Sequence, residues 1–197
     1  MALDDAGLDL LFREAHTQHG WLDEPVSADQ MRALYDLFKW APTTSNSNPA
    51  RFVFVMSREG KERLKPALNP TNVEKTMTAP VTVIVASDTR FYEYMPGLYP
   101  PNPKAGERFA DPANQAAATT TALRNGSLQG AYLIIAARAL GLGCGPLSGF
   151  DNARVDAEFF PDGRWKSNFL CNIGYGDPAK ERKRNARLDF DVACRII

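Results

Sequence analysis

The chain has 197 residues, enough for one domain with a substantial core, and its 23 Lys and Arg balance 23 Asp and Glu. That balance argues against nucleic acid or an anionic membrane surface as partner, and 44% hydrophobic with 23% charged residues is a globular composition. Three well-separated cysteines with no C-x-x-C suit reduced thiols better than a disulfide framework or a zinc site, and two histidines exclude a His-rich metal centre. The expectation is a cytoplasmic protein with reduced thiols and no metal. Asp4, Asp5 and Asp9 near the start speak against a signal peptide, and the longest apolar run, 131–143, is interrupted by Arg138 and too short to span a bilayer.

In chain order, Leu8, Leu11, Phe12 and Ala15 fall at helical spacing over 6–15. Ser27-Ala28-Asp29-Gln30 is a capping box that starts a helix running to about Trp40, with Met31, Leu34, Tyr35, Leu37 and Phe38 on its buried side. Pro42 stops it. From Pro42 to Asn48 no residue carries a large side chain, and prolines at 42 and 49 bracket hydroxyls and amides that suit a flat polar ligand. Residues 51–56 predict a strand, Ser57 to Gly60 a turn, and 62–68 a short helix. Val81 to Ala86 is apolar at nearly every position, which predicts a central strand covered on both faces.

Residues 91–118 mix aromatics with five prolines, too aromatic for a linker and too proline-rich for one element; a lid-like excursion packed on the body fits. A long helix is expected from about 118 to 142, with Leu123, Leu128, Tyr132, Leu133, Ile135, Ala136 and Leu140 making it apolar on most sides, in a core or at a subunit interface. Gly145 to Asp151 reads as a special loop, Asp151 as the cap of a helix to Phe159, and 166–175 as a further strand. A charged tail, 180–187, precedes a last apolar stretch, 188–197. No linker divides the chain, so 1–197 is expected to be a single domain.

The familiar catalytic signatures, G-x-S-x-G, H-E-x-x-H, a phosphate loop and G-x-G-x-x-G after a strand, are absent. Cys144 between two glycines could be a nucleophile or simply a small residue in a tight loop, and no histidine is placed as its partner. Chemistry without a nucleophile or metal points to an organic cofactor.

The chain resembles the flavin-dependent nitroreductase superfamily over nearly its whole length. The matching runs are Ala15 to Trp21, Pro42 to Phe52, Asn72-Val73-Glu74-Lys75, Pro146 to Asp151 and Asn185 to Leu188. The resemblance implies an α+β nitroreductase-like fold, a central sheet flanked by helices, and an intertwined homodimer that binds FMN and uses NADPH or NADH as donor. It implies that His16, Thr17, His19, Arg184 and Arg187 serve the FMN phosphate. It also implies that Asn72 and Lys75 meet the polar edge of the ring, and that the backbone of Pro146, Leu147, Ser148 and Gly149 faces its reactive nitrogen. Pro42, Thr43, Thr44 and Asn46 would serve the other chain's cofactor.

Where relatives put arginines on the phosphate this chain has Ala15 and His19, with His16 between them; either the histidines assist or Arg184 and Arg187 do most of that work. Further runs, among them Trp40 to Thr43, Lys75 to Thr82, Arg124 to Tyr132 and Lys166 to Leu170, are similar to the malonic semialdehyde reductase branch of pyrimidine utilisation. That similarity implies ping-pong hydride transfer through FMN to malonic semialdehyde, giving 3-hydroxypropionate. The alternatives are a broad nitroreductase or quinone reductase, acting on a small nitro or quinone compound, and a non-catalytic flavin binder. Arg51, Arg108 and Arg124 are candidate cations for a substrate carboxylate, Arg108 the first choice.

Overall fold

The structure, a computed structural model, describes residues 2–197. The elements are α1 (Asp5–Leu8), continued by a π-helical turn over Asp9–Arg13, then α2 (Ala28–Phe38), β1 (Ala50–Val55), α3 (Arg58–Leu64), α4 (Pro70–Met77) and β2 (Val81–Asp88). After these come the short α5 (Met95–Leu98) and α6 (Glu107–Ala110), the long α7 (Gln115–Ala139), β3 (Gly143–Leu147), α8 (Asn152–Phe159), β4 (Trp165–Gly174) and α9 (Phe190–Ala193). The strands form one antiparallel sheet in the order β1-β2-β4-β3, with helices on both faces, the expected α+β class.

β2 explains the sheet's layering. All eight of its residues are buried, and alternate side chains feed two cores. Val81, Val83 and Val85 join Leu34 and Phe38 of α2 and Leu133 and Ala137 of α7 on one face. Ile84 and Ala86 join Leu64, Leu68, Phe150 and Val155 on the other. A strand with a core on each side has no solvent face for polar residues, hence its unbroken apolar run.

The capping box at Ser27 forms as expected: Gln30 N–H donates to Ser27 Oγ at 3.1 Å and Ser27 N–H to Gln30 Oε1 at 2.8 Å. The inward stripe of α2 is narrower than the apolar pattern suggested. Met31, Leu34 and Phe38 are buried, whereas Tyr35 and Leu37 are each 48% exposed on its flanks.

Four further expectations are corrected. Ser57 to Gly60 is the start of α3, with Ser57 Oγ accepting the Gly60 N–H at 3.0 Å; Pro66 then tightens the end of that segment into a 3₁₀ turn. Gly143 to Leu147, read partly as loop, is the edge strand β3; its glycines and proline hid it, and both are tolerated at an edge. Cys144 therefore lies in a strand and is buried. Its thiol donates to the Ile134 carbonyl at 3.8 Å, and the neighbouring Cys144 together with burial pushes the Cys171 thiol up, which disfavours the thiolate there. Finally, the long helix expected over 118–142 is α7, Gln115–Ala139; within the single chain it is buried along one side, and Leu123, Leu128, Tyr132 and Leu140 are left exposed. Its inward side is made of small residues, and a Cβ at Gly130 would overlap the Phe169 ring, so the helix lies close on the sheet.

α7 ends as its sequence predicts. Gly141 takes φ +76° and the Leu142 N–H reaches back to the Ala137 carbonyl at 2.9 Å, a Schellman cap. The 91–118 region carries a small core of its own, Phe91, Met95 and Phe109 closing on Ala118 and Ala122 of α7. Residues 180–197 lie exposed along the surface.

One buried cation caps α4. The Lys61 ammonium, 3% exposed, donates to the Thr76 carbonyl at 2.7 Å and to that of Ala79. Burial lowers its pKa to about 8, while a neutral amine keeps enough N–H donors for both carbonyls. Below that pH the fold bears the full cost of the charge. Between about 8 and the unfolded value of about 10.5 the unfolded chain holds more protons, so stability rises with pH. Denaturant melts should show that rise, and Lys61→Met should abolish it while costing about 1–3 kcal/mol through the stranded carbonyls.

Candidate functional site

The site is assembled on the outer side of β3. There the segment 15–21 lies against the strand: Gln18 N–H donates to the Cys144 carbonyl at 2.8 Å, and Thr17 pairs with Cys144 as an isolated bridge. This approach requires glycine in β3, since a Cβ at Gly145 would lie 2.8 Å from the Gln18 carbonyl oxygen. Trp21 pairs with Gly176, and Asp177 N–H donates to the Gly20 carbonyl at 3.1 Å, which delivers the charged tail to the same place. The Arg184 guanidinium then donates to the Ala15 carbonyl at 2.8 Å.

The result is a cleft of about 290 Å³ lined by His16, Thr17, His19, Arg184 and Arg187 together. Arg138, Arg182 and Lys183 also line it. Sequence reasoning did not single these out for the site. The available signal for Arg138 was a lone charge inside the apolar stretch of α7. Arg138 donates one amino group to the Leu11 carbonyl at 2.9 Å, and its buried Nε has no acceptor among the described residues. The only carboxylate paired inside this constellation is Glu181, whose Oε1 lies 2.7 Å from His16 Nδ1. Positive charge is therefore in excess. Burial, then Arg182 and Lys75, hold the His19 imidazole below its ordinary range; burial and Arg182 do the same to the Lys75 ammonium. In each case burial is the larger cause, and the neighbouring positive charge is the part that an anion would offset.

α4 and the loop after β3 form a second, joined part. Asn72 Nδ2 donates to the Gly149 carbonyl at 2.8 Å, Asn69 N–H to the same oxygen at 3.0 Å, and Asp151 N–H to the Ala67 carbonyl at 2.8 Å. A Cβ at Gly149 would sit 2.5 Å from Asn72 Nδ2, so only glycine admits this contact. Asn72 is buried and Lys75 half-buried on the same helix. The Lys75 carbonyl accepts the Trp21 indole N–H at 2.8 Å, which ties this part to the segment carrying His16 and His19. Pro146 and Leu147 belong to β3 itself, with Ser148 and Gly149 directly after it.

The loop 42–48 stands apart from the cleft in the single chain. Asn125 Oδ1 of α7 accepts the Thr44 N–H at 2.8 Å, and Gln129 Oε1 accepts the Ala50 N–H at 2.9 Å. Thr43 Oγ1 accepts the Asn48 N–H at 3.2 Å, and Asn46 Nδ2 donates to the Leu98 carbonyl at 2.8 Å. Ser45, Asn46 and Asn48 hold φ of 47°, 48° and 41°, left-handed values on either side of a right-handed Ser47, which asparagine tolerates better than most non-glycine residues. Pro42 and Thr44 are exposed at its surface. Arg108, on α6, lies over the Phe109 ring at 4.5 Å and lines none of the cavities described here. The Arg51 guanidinium is taken up by the buried Asp88 carboxylate at 2.8 Å, and Arg124 is exposed on α7.

The structure thus combines a four-stranded antiparallel sheet of the α+β class with a basic cleft at the edge of that sheet. Residues 13–175 match the Nitroreductase family, and the chain belongs to it. It is 56% identical over 195 residues to a protein of Rhodopseudomonas palustris TIE-1, covering 99% of this chain and 98% of that protein. It is 57% identical over 195 residues to one of Xanthomonas oryzae pv. oryzae PXO99A, with the same coverage of each. Both bear the name "Putative NADH dehydrogenase/NAD(P)H nitroreductase". Among solved structures it is similar to the ydfN protein of Bacillus subtilis, with TM-score 0.89, 20% identity and coverage of 98% and 100% of the two chains. A protein of Exiguobacterium sibiricum 255-15, solved in complex with FMN, gives TM-score 0.87 at 19% identity with coverage of 100% and 99%. Among the described residues no helix is long and apolar enough to cross a membrane.

The left-handed loop depends on its side-chain acceptors in α7. Replacing Asn125 by Leu should leave the Thr44 amide unpaired, speed its hydrogen exchange by at least about tenfold and cost about 1–2 kcal/mol of stability. Unchanged exchange at Thr44 would show that Asn125 does not hold the loop.

Proposed function

We propose that this protein is an FMN-dependent NAD(P)H oxidoreductase. The observation that supports it most is the convergence of His16, Thr17, His19, Arg184 and Arg187 on one cleft with surplus positive charge and a partnerless Arg138 Nε. A phosphate monoester fits that donor set: it carries up to two negative charges and several strong acceptors, and guanidinium groups meet them with fixed geometry. These residues would hold the phosphate, and Asn72, Lys75 and the Pro146-Leu147-Ser148-Gly149 backbone would meet the ring. FMN, when bound, supplies two-electron exchange between a nicotinamide donor and an acceptor. The chain's own part is to orient and balance charge. Lys75, whose charged form is disfavoured in the free protein, would be relieved by negative charge on the neighbouring ring edge.

The active unit is a homodimer. Support comes from apolar surface left open in the single chain. Leu123, Leu128 and Tyr132 are exposed on α7, and Leu188, Phe190, Val192, Ile196 and Ile197 are exposed on the tail. Strand β1 is an open sheet edge beside a groove of about 630 Å³ that includes Phe52, Phe54 and the exposed Trp40. In the dimer, Pro42, Thr43, Thr44 and Asn46 would face the cofactor of the other chain.

For the acceptor, the sequence runs shared with malonic semialdehyde reductases favour that aldehyde, reduced to 3-hydroxypropionate, and Arg108 is proposed to take its carboxylate. Nitroaromatic or quinone reduction is the second reading, favoured by the names of the relatives at over 50% identity.

Purified protein should be yellow, sediment as a dimer, and oxidise NADPH or NADH faster with malonic semialdehyde than with a nitroaromatic or a quinone. A colourless protein that takes up no FMN would sink the cofactor reading, and a preference for the nitroaromatic would replace the aldehyde by the second reading. Arg108→Ala should raise KM for the carboxylate-bearing aldehyde about tenfold with kcat little changed. An unchanged KM removes Arg108 from the account.

A further inference from the structure

Histidine is an unusual choice where a permanent cation would serve, and the structure places an acidic residue directly behind it. His16 Nδ1 is 2.7 Å from Glu181 Oε1. The His16 side chain is only 20% exposed and lines the basic cleft, while Glu181 sits outward at 43%. Among the described residues His16 Nε2 has no hydrogen-bond partner, so the contact with Glu181 commits one ring nitrogen and leaves the other for the cleft. Arg184, three residues along the tail from Glu181, bonds the Ala15 carbonyl next to His16, so backbone and ring are fixed by the same stretch of tail.

We propose that Glu181 is a positioning residue for the anion site: it orients His16 so that Nε2–H, in the doubly protonated ring, donates to the phosphate, letting a histidine act as the cation there. The proposal rests on the FMN reading above and concerns how this chain meets the phosphate.

The surroundings decide between this role and a simple blocking contact. His16 shares the cleft with Arg138 from α7, with Arg182, Lys183, Arg184 and Arg187 from the tail, and with His19 from its own segment. On the opposite side it shares a smaller cavity with Glu14, for which no contact with the ring is found among the described residues. Among these groups Glu181 is the carboxylate in contact with the ring. A bound phosphate and Glu181 then favour the same form of the ring from opposite sides. The carboxylate lies behind the ring, so it does not compete for the face that donates. Carboxylate–histidine pairs that fix a ring for a third group follow the same logic at metal centres.

The test is a binding titration of the full-length, flavin-stripped protein with FMN and with riboflavin, which has the ring and no phosphate. Glu181→Ala should weaken FMN binding about tenfold. Riboflavin affinity should not move. Adding His16→Arg to the Glu181→Ala protein should restore FMN affinity. Glu181→Gln, which keeps the shape, should behave as Glu181→Ala, guarding against a merely structural effect. FMN affinity that is unchanged or increased by Glu181→Ala, or a loss shared equally by riboflavin, overturns the proposal. A wild-type protein that binds no FMN overturns the cofactor reading itself, a distinct result.

Discussion

Asn172 holds the site to the fold. It lies in β4, fully buried, between a strand and a helix that both need polar partners. Its Oδ1 accepts the Thr82 hydroxyl at 2.7 Å, and its Nδ2 donates to Thr76 Oγ1 at 3.1 Å and to the Lys75 carbonyl at 3.3 Å. The Trp21 indole shares that carbonyl, and Lys61 takes the next one along. One amide side chain thus fixes the end of α4, the segment 15–21 and the sheet relative to one another. In a low-dielectric core such a network is favourable only because every member is satisfied, which makes its geometry demanding. Asn72 and Lys75 inherit that precision from the helix they share.

The cleft is built on the opposite principle. Its basic side chains are gathered without enough carboxylates to balance them, and burial followed by the neighbouring cations lowers the pKa of His19 in the cleft and of Lys75 beside it. The tail supplies much of this charge from an exposed stretch with little regular structure, fastened mainly through Arg184 to the Phe12 and Ala15 carbonyls. The α4 end is held by a satisfied polar network and the cleft end by charge, an arrangement in keeping with the ligand proposed above. The departure at Ala15 and His19, where the resemblance leads one to expect arginines, touches the charged end and leaves α4 and β3 as they are.

Much of this was legible in the residues. The unbroken apolar run of β2 required a core on each face, the S-x-x-Q at Ser27 required a helix start, and Gly141 required a helix end; all three are local signals with one physical solution. β3 was not legible, because two glycines and a proline look like a loop until segment 15–21 is laid against them and the missing side chains become the space it needs. The apolar width of α7 was legible, and its burial was not, since exposure depends on which neighbours the single chain supplies.

What the sequence by itself determined was the set of elements and the chemistry on offer: a polar loop between prolines, an Asn and a Lys one helical turn apart, two histidines near one end and a basic tail near the other. Only the tertiary structure decided which of these meet. His16 and Arg184 are separated by most of the chain, and they come together because β3 accepts the N-terminal segment along its outer edge while β4 returns the tail to the same side. Loop 42–48, whose residues suit a flat polar ligand, is held apart from this chain's own cleft by its bonds to α7. Spacing along a chain fixes local geometry within a turn or a strand; meetings across such distances are set by strand order and by which backbones can approach, and here that rests on glycine at 145 and asparagine at 172.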